Sequence, residues 1–152
     1  VKAQMLIRKP VAEVFQAFID PAVTAHFWFT KGSGKLEAGQ QTEWTWEMFH
    51  ISAIVDVKLI EPNRRILIEW DGYKGRNLVE WLFTDRGDET TLVNIINSGF
   101  HGTDDEIVQQ ALDSTQGFTI ILCGAKAWLE HRIKLNLITD HFPDTVVKGY
   151  SD

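Results

Sequence analysis

From Trp44 to Phe83 apolar residues occupy alternate positions in four successive runs, and each such run is a strand with one face to bury. Trp44, Trp46 and Met48 share a face opposite Glu43, Thr45 and Glu47, and Ile51, Ala53, Val55, Val57 and Leu59 share the next, opposite Ser52, Asp56 and Lys58. Ile66, Ile68 and Trp70 follow, then Val79, Trp81 and Phe83. A two-residue turn at Phe49-His50 would pair Met48 with Ile51 and Trp46 with Ala53. A four-residue turn at Glu61-Pro62-Asn63-Arg64 would pair Leu59 with Ile66, and a loop around 72–75 would pair Trp70 with Val79. Each of these registers puts the apolar faces on one side, so the pattern predicts an antiparallel meander. In the last strand, 90–98, Leu92 and Ile96 compete with Val93 and Ile95, and the reading favours Val93, Ile95 and Asn97 inward.

Helical signals flank the meander. Val1, Ala3, Met5 and Ile7 alternate as a first strand; Pro10 at a helix start precedes Val11, Val14, Phe15 and Phe18, and Asp20-Pro21 opens a second short helix to about Phe27. Residues 31–39 carry three glycines and read as a loop. Thr103-Asp104-Asp105-Glu106 has the spacing of a capping box. Ile107, Ala111, Phe118, Leu122, Ala125, Leu129 and Ile133 then recur at three- and four-residue steps, which predicts about eight turns to Lys134 or slightly beyond. Gly117 and Gly124 lie inside that helix, each costing about 0.8–1 kcal/mol relative to Ala. Close backbone approach or room for a bound molecule would compensate. The tail, 139–152, shows little periodicity and is expected to pack loosely.

Composition excludes some roles. The 152 residues fit one domain, 1–152, and the net charge of −6 lacks the basic excess that nucleic acid or an anionic bilayer asks for. Cys123 is the lone cysteine and has no partner for a disulfide; residues 1–8 lack a basic segment followed by an apolar run, so a cytoplasmic location is expected. The longest uncharged, apolar-rich stretch, 114–125, is shorter than the roughly 18–20 residues that span a bilayer.

A strand, two short helices, an antiparallel sheet and one long C-terminal helix resemble the helix-grip architecture of the START-like (SRPBCC) superfamily. The chain looks most like the branch related to the activator of heat-shock protein 90 ATPase. The likeness is carried by Lys9-Pro10-Val11-Ala12-Glu13-Val14-Phe15, Phe27-Trp28-Phe29-Thr30, Trp44-Thr45-Trp46-Glu47-Met48 and Ile60-Glu61-Pro62-Asn63-Arg64, then by Asn97-Ser98-Gly99-Phe100, Gln116-Gly117-Phe118 and Trp128-Leu129-Glu130-His131. It implies an α+β fold in which a curved antiparallel sheet wraps the long helix and leaves a cavity between them. Asn97 stands where relatives often place a histidine.

In that fold Trp44, Trp46, Met48, Trp70 and Trp81 would line the cavity together with Phe118 and Leu122 from the helix. Phe27, Trp28, Val55, Asn97 and Ile121 complete the expected ligand-binding set. The alternative is that the same face is packed core. An empty apolar void of about 400 Å³ would cost roughly 10 kcal/mol, so a cavity of that size must hold ligand or water or collapse. Glu43, Glu47, Glu69 and Glu80 fall on the outer face, leaving Asn97, Thr42 and indole N–H groups inside; these orient a ligand but transfer protons poorly at neutral pH.

The remaining motifs carry no chemistry. None of the five histidines has metal-ligand spacing, and Cys123 reads as a small buried hydrophobe. Gly32-Ser33-Gly34-Lys35 lacks phosphate-loop spacing, and Arg86-Gly87-Asp88 is a turn. No metal and no cofactor are expected. The reading is a non-catalytic binding protein for a small apolar or amphipathic molecule. The alternatives are a cyclase- or hydratase-type enzyme using the same cavity, and a chaperone-interacting module implied by the resemblance.

Overall fold

A computed structural model of the protein describes residues 1–151. Strand β1 (Lys2–Ile7) is followed by helices α1 (Val11–Ile19) and α2 (Pro21–Thr24), then by β2 (Lys31–Gly32), β3 (Gln41–Trp46), β4 (Ile51–Glu61), β5 (Arg65–Gly72), β6 (Gly75–Gly87) and β7 (Thr90–Ser98). The long helix α3 (Asp104–His131), a short α4 (Leu137–His141) and a 3₁₀ turn at Pro143–Thr145 follow. The seven strands form one sheet in the order β1-β7-β6-β5-β4-β3-β2, with every pairing antiparallel. This is the expected α+β helix-grip arrangement, a curved sheet wrapped on a long C-terminal helix.

The core lies between the concave sheet face and the helices. Ile7, Val57, Ile66, Ile68, Val79 and Val93 are buried from the sheet side, and Phe15, Phe18, Leu122 and Leu129 from the helices. Phe15 and Phe18 meet Phe83 with ring centroids 5.3 and 6.0 Å apart. Val93, Ile95 and Asn97 point inward on β7, as the alternation predicts. The Thr103–Glu106 capping box forms at the start of α3, where the Thr103 hydroxyl accepts from Glu106 N–H and the Glu106 carboxylate from Thr103 N–H.

Several local expectations are corrected. Helix α2 stops at Thr24, short of Phe27, because Phe27, Trp28 and Phe29 are all buried and three consecutive residues cannot share one helix face. The glycine-rich loop contains β2, which pairs Gly32 with Trp44; a Cβ on Gly32 would stand 2.6 Å from Pro21 Cβ. The β3–β4 turn is longer than two residues. Glu47–Phe49 forms a 3₁₀ turn and His50 is left-handed at φ 51°, so Trp46 pairs with Ile51 and Trp44 with Ala53. Register moves by two, which keeps the faces but takes Met48 out of the strand and leaves Ile51 54% exposed.

A bulge between Val57 and Leu59 breaks the β4 alternation. Ile60 now pairs with the fully buried Ile66 and packs on the core, while Leu59 pairs with Leu67 on the outer face. Gly72 pairs with Gly75 across a tight Tyr73-Lys74 turn, which places Asn77 rather than Val79 opposite Trp70. Helix α3 ends at His131 with Arg132 left-handed, so Ile133 leaves the apolar face and is 51% exposed. Just before the tail, Ile138 of α4 packs on the core; within the tail Val147 N–H donates to Met48 O, but none of its described residues is buried, as loose packing would have it.

Candidate functional site

Ser114, Gly117, Phe118 and Ile121 recur at the three- and four-residue steps that put them on one face of α3, and that face looks across a cleft toward the sheet. The cleft measures about 780 Å³. Trp28, Trp46, Trp70 and Phe118 form its aromatic wall: Trp28 stands edge-on to Trp70 at 5.8 Å and to Phe118 at 6.0 Å, and Trp70 lies 6.1 Å from Phe118. Phe49, Ile138 and Phe142 also line it, with Phe142 from the tail edge-on to Phe49 at 6.0 Å.

One polar cluster is set into this apolar wall. Asn97 Nδ2 donates to Asn77 Oδ1 and to Leu78 O, both at 2.8 Å, while Asn97 Oδ1 accepts from Ser114 Oγ at 2.7 Å. Trp70 Nε1 donates to the same Asn77 Oδ1 at 2.7 Å. The network ties β5, β6, β7 and α3 together. Its members are amides, a hydroxyl and an indole, none of which ionises near neutral pH.

Carboxylates stand along the cleft. Asp71 accepts from Arg76 at 2.7 Å and from Ile54 N–H at 3.1 Å. Glu106 pairs with Lys74 at 2.7 Å, and that hydrogen bond, followed by those of Thr103, lowers its pKa to about 2. Asp113 accepts from Gln109 Nε2 at 3.0 Å.

The family model described as Activator of Hsp90 ATPase homolog 1-like protein matches residues 8–122. The chain belongs to that family. Among solved structures, the chain is similar to protein SSP2350 from Staphylococcus saprophyticus, at 23% identity and TM-score 0.75 over 89% of this chain and 94% of that one. It is similar to the Aha1 dimer from Colwellia psychrerythraea at 16% identity and TM-score 0.72, covering 86% and 96%. CalU16 from Micromonospora echinospora matches at 19% identity and TM-score 0.69, covering 95% and 82%. At these identities the likeness shows the fold. None of the curated proteins matches the sequence.

Six of the twelve expected binding residues line the cleft: Trp28, Trp46, Trp70, Asn97, Phe118 and Ile121. Trp44, Val55, Trp81 and Leu122 do not, being no more than 1% exposed. The reason is a plug of rings from the α1–β2 segment. Phe29 stacks on Trp44 at 4.9 Å, while Trp28 meets Trp44 at 4.8 Å and Trp81 at 6.0 Å, so half of the concave face is packed core. Phe27 and Met48 instead line a separate crevice of about 30 Å³ beside Gly124. Thr42, the other inward polar residue expected, bonds Ser33 Oγ at 2.7 Å away from the cleft.

Sequence reasoning missed Asn77, Ser114, Glu106 and Asp113. Asn77 was within reach of the alternation, since it lies two residues before Val79 on the same face. Ser114 precedes Phe118 by one helical turn. The Thr103–Glu106 spacing signals a helix cap and carries no sign that Glu106 also borders the cleft. Among the described residues no group of three or more His, Cys, Asp or Glu could hold a metal ion. No helix among them is long and apolar enough to cross a membrane.

Proposed function

We propose that this protein holds a small, mostly apolar molecule in the cleft between α3 and the sheet, without transforming it. The observation that carries the reading is a cleft of about 780 Å³ with tryptophan and phenylalanine walls and one hydrogen-bonding cluster, the layout of a small-molecule site. Gly117 supports it. A Cβ there would meet nothing within 4 Å, so no packing contact demands the glycine, and the space beside it opens onto the cleft that it lines. Proton transfer asks for a titratable group held among the inner polar contacts of the ligand; that inner cluster supplies neutral amides and a hydroxyl, while the carboxylates along the cleft are either paired with a cation, as Asp71 with Arg76 and Glu106 with Lys74, or exposed, as Asp113.

The test is native mass spectrometry of the purified protein, followed by titration with an apolar aromatic library read on the indole N–H resonances of Trp28, Trp46 and Trp70. Binding that shifts these signals and is blocked by Gly117→Leu is the expected result. A library without a single ligand that shifts them would sink the reading.

A second reading, activation of a heat-shock protein 90 ATPase, is supported by the family match. It predicts a raised ATPase rate when this protein is added to the chaperone, and an unchanged rate at saturating protein counts against it.

A further inference from the structure

The side chains that line the cleft include Asp71, Glu106 and Asp113 and, among the described residues, no Lys, Arg or His. Cations do stand nearby, but they are committed. Arg76 bonds Asp56, Glu69 and Asp71, Lys58 pairs with Glu69, and Lys74 pairs with Glu106. Asp113 accepts from neutral Gln109 and, among the described residues, is in no ion pair. The positive end of the α3 dipole offers an anion little, since Asp104, Asp105 and Glu106 occupy its first turn and the capping box satisfies its N–H groups.

Two forces therefore act in the same direction on a charged ligand. Trp28, Trp46, Trp70 and Phe118 border the cleft, and aromatic rings of this kind carry a negative quadrupole on their faces that attracts organic cations. Asp113, exposed and outside any ion pair among the described residues, adds an attraction for a cation that water and salt screen. An anionic head group would face Asp113 and Glu106 with no free cation to receive it, at a cost that the apolar body of the ligand must offset.

Resting on the receptor reading above, we infer that the cleft selects organic cations, amines or quaternary ammonium groups carried on an apolar, ring-containing body, over neutral analogues, and rejects carboxylates of the same shape. Asp113 is the residue that receives the charge, with the aromatic wall holding the body. The preference is electrostatic and partly exposed, so salt weakens it.

The test uses three probes that differ in the head group: 2-naphthylmethyl-trimethylammonium, 2-naphthalenemethanol and 2-naphthylacetate. Binding is measured by calorimetry and by indole N–H shifts at low and high salt. The cation is expected to bind about five- to tenfold more tightly than the alcohol, and the carboxylate more weakly than either. The ratio of cation to alcohol is expected to narrow in high salt, to fall about threefold in Asp113→Asn and to be restored in Asp113→Glu. A carboxylate that binds as tightly as the cation, or a ratio indifferent to both salt and Asp113→Asn, overturns the charge preference and leaves the receptor reading standing. Failure of all three probes to bind overturns the charge preference, and the wider apolar library then decides the receptor reading.

Discussion

Gly124 lies directly against Phe27: a Cβ added to the glycine would stand 3.1 Å from Phe27 Cβ and 3.3 Å from its carbonyl oxygen. Phe27 is 7% exposed and one contact is backbone, so neither atom has an easy route away. The two glycines of α3 thus have different reasons to be there. Alanine at Gly124 gains about 1 kcal/mol in helix propensity but overpacks the contact by about 1–3 kcal/mol, so a net loss near 1 kcal/mol is expected. Alanine at Gly117, with open space around it, is expected to stabilise by about 0.5–1 kcal/mol. Urea denaturation of both variants checks the opposite signs, and two changes of the same sign would contradict this account.

Asn97 satisfies three partners at once, in Asn77, Leu78 and Ser114. Asn97→Ala strands these groups in a site where Asn97 is 3% exposed, with an expected loss of about 2–3 kcal/mol. Asn97→Asp replaces a donor with an oxygen facing the Leu78 carbonyl and Asn77 Oδ1, so it is expected to be worst at neutral pH and to recover as the new carboxyl is protonated. Chemical denaturation across pH measures both effects. Wild-type stability in either variant would mean that the cluster is dispensable.

The Glu106 carboxyl sits at about 2, below its ordinary 4.5, because Lys74 and then Thr103 hydrogen-bond its charged form. A value lowered by folding contributes stability that is complete above pH 4.5 and is lost as pH falls toward 2. The stability gap between wild type and Glu106→Gln is therefore expected to shrink across that acid window. Denaturation midpoints taken through it provide the check, and a gap that stays constant would place the effect elsewhere.

His26 stacks on Trp128 at 3.8 Å, with the planes 13° apart, while the Arg132 guanidinium sits 5.6 Å from the same ring. Ring stacking would favour a charged imidazole, yet burial first, then Lys134 and Arg132, hold its pKa below 6.5. The folded state thus prefers neutral His26, and its contribution to stability is full above pH 6.5 and fades as pH falls through the folded value. An NMR titration of the His26 Cε1 proton should give a midpoint below 6.5. A midpoint above it would mean that the stack outweighs burial and the two cations together.

Residues close in the chain carried much of this protein in their own pattern. Alternation marked the strands of the meander, Thr103 and Glu106 marked the start of α3, and the inward choice of Val93, Ile95 and Asn97 agrees with the burial found. These features depend on two-residue and 3.6-residue periods and on caps that act within one turn, so no distant partner is needed to read them. The faces of β3 and β6 survived wrong turn lengths because each register error was two residues, which restores the same side.

Only the assembled fold decided which tryptophans meet solvent in the cleft and which are sealed. Trp44 and Trp70 share one face by their pattern, yet Phe29, from a segment distant along the chain, stacks on Trp44 and leaves Trp70 half-buried in the cleft wall. The bulge that turns Leu59 outward and the tail that brings Phe142 to the cleft likewise rest on long-range packing. Burial on a shared face is settled by whichever side chains arrive from elsewhere to fill the space, and local periodicity holds no record of them.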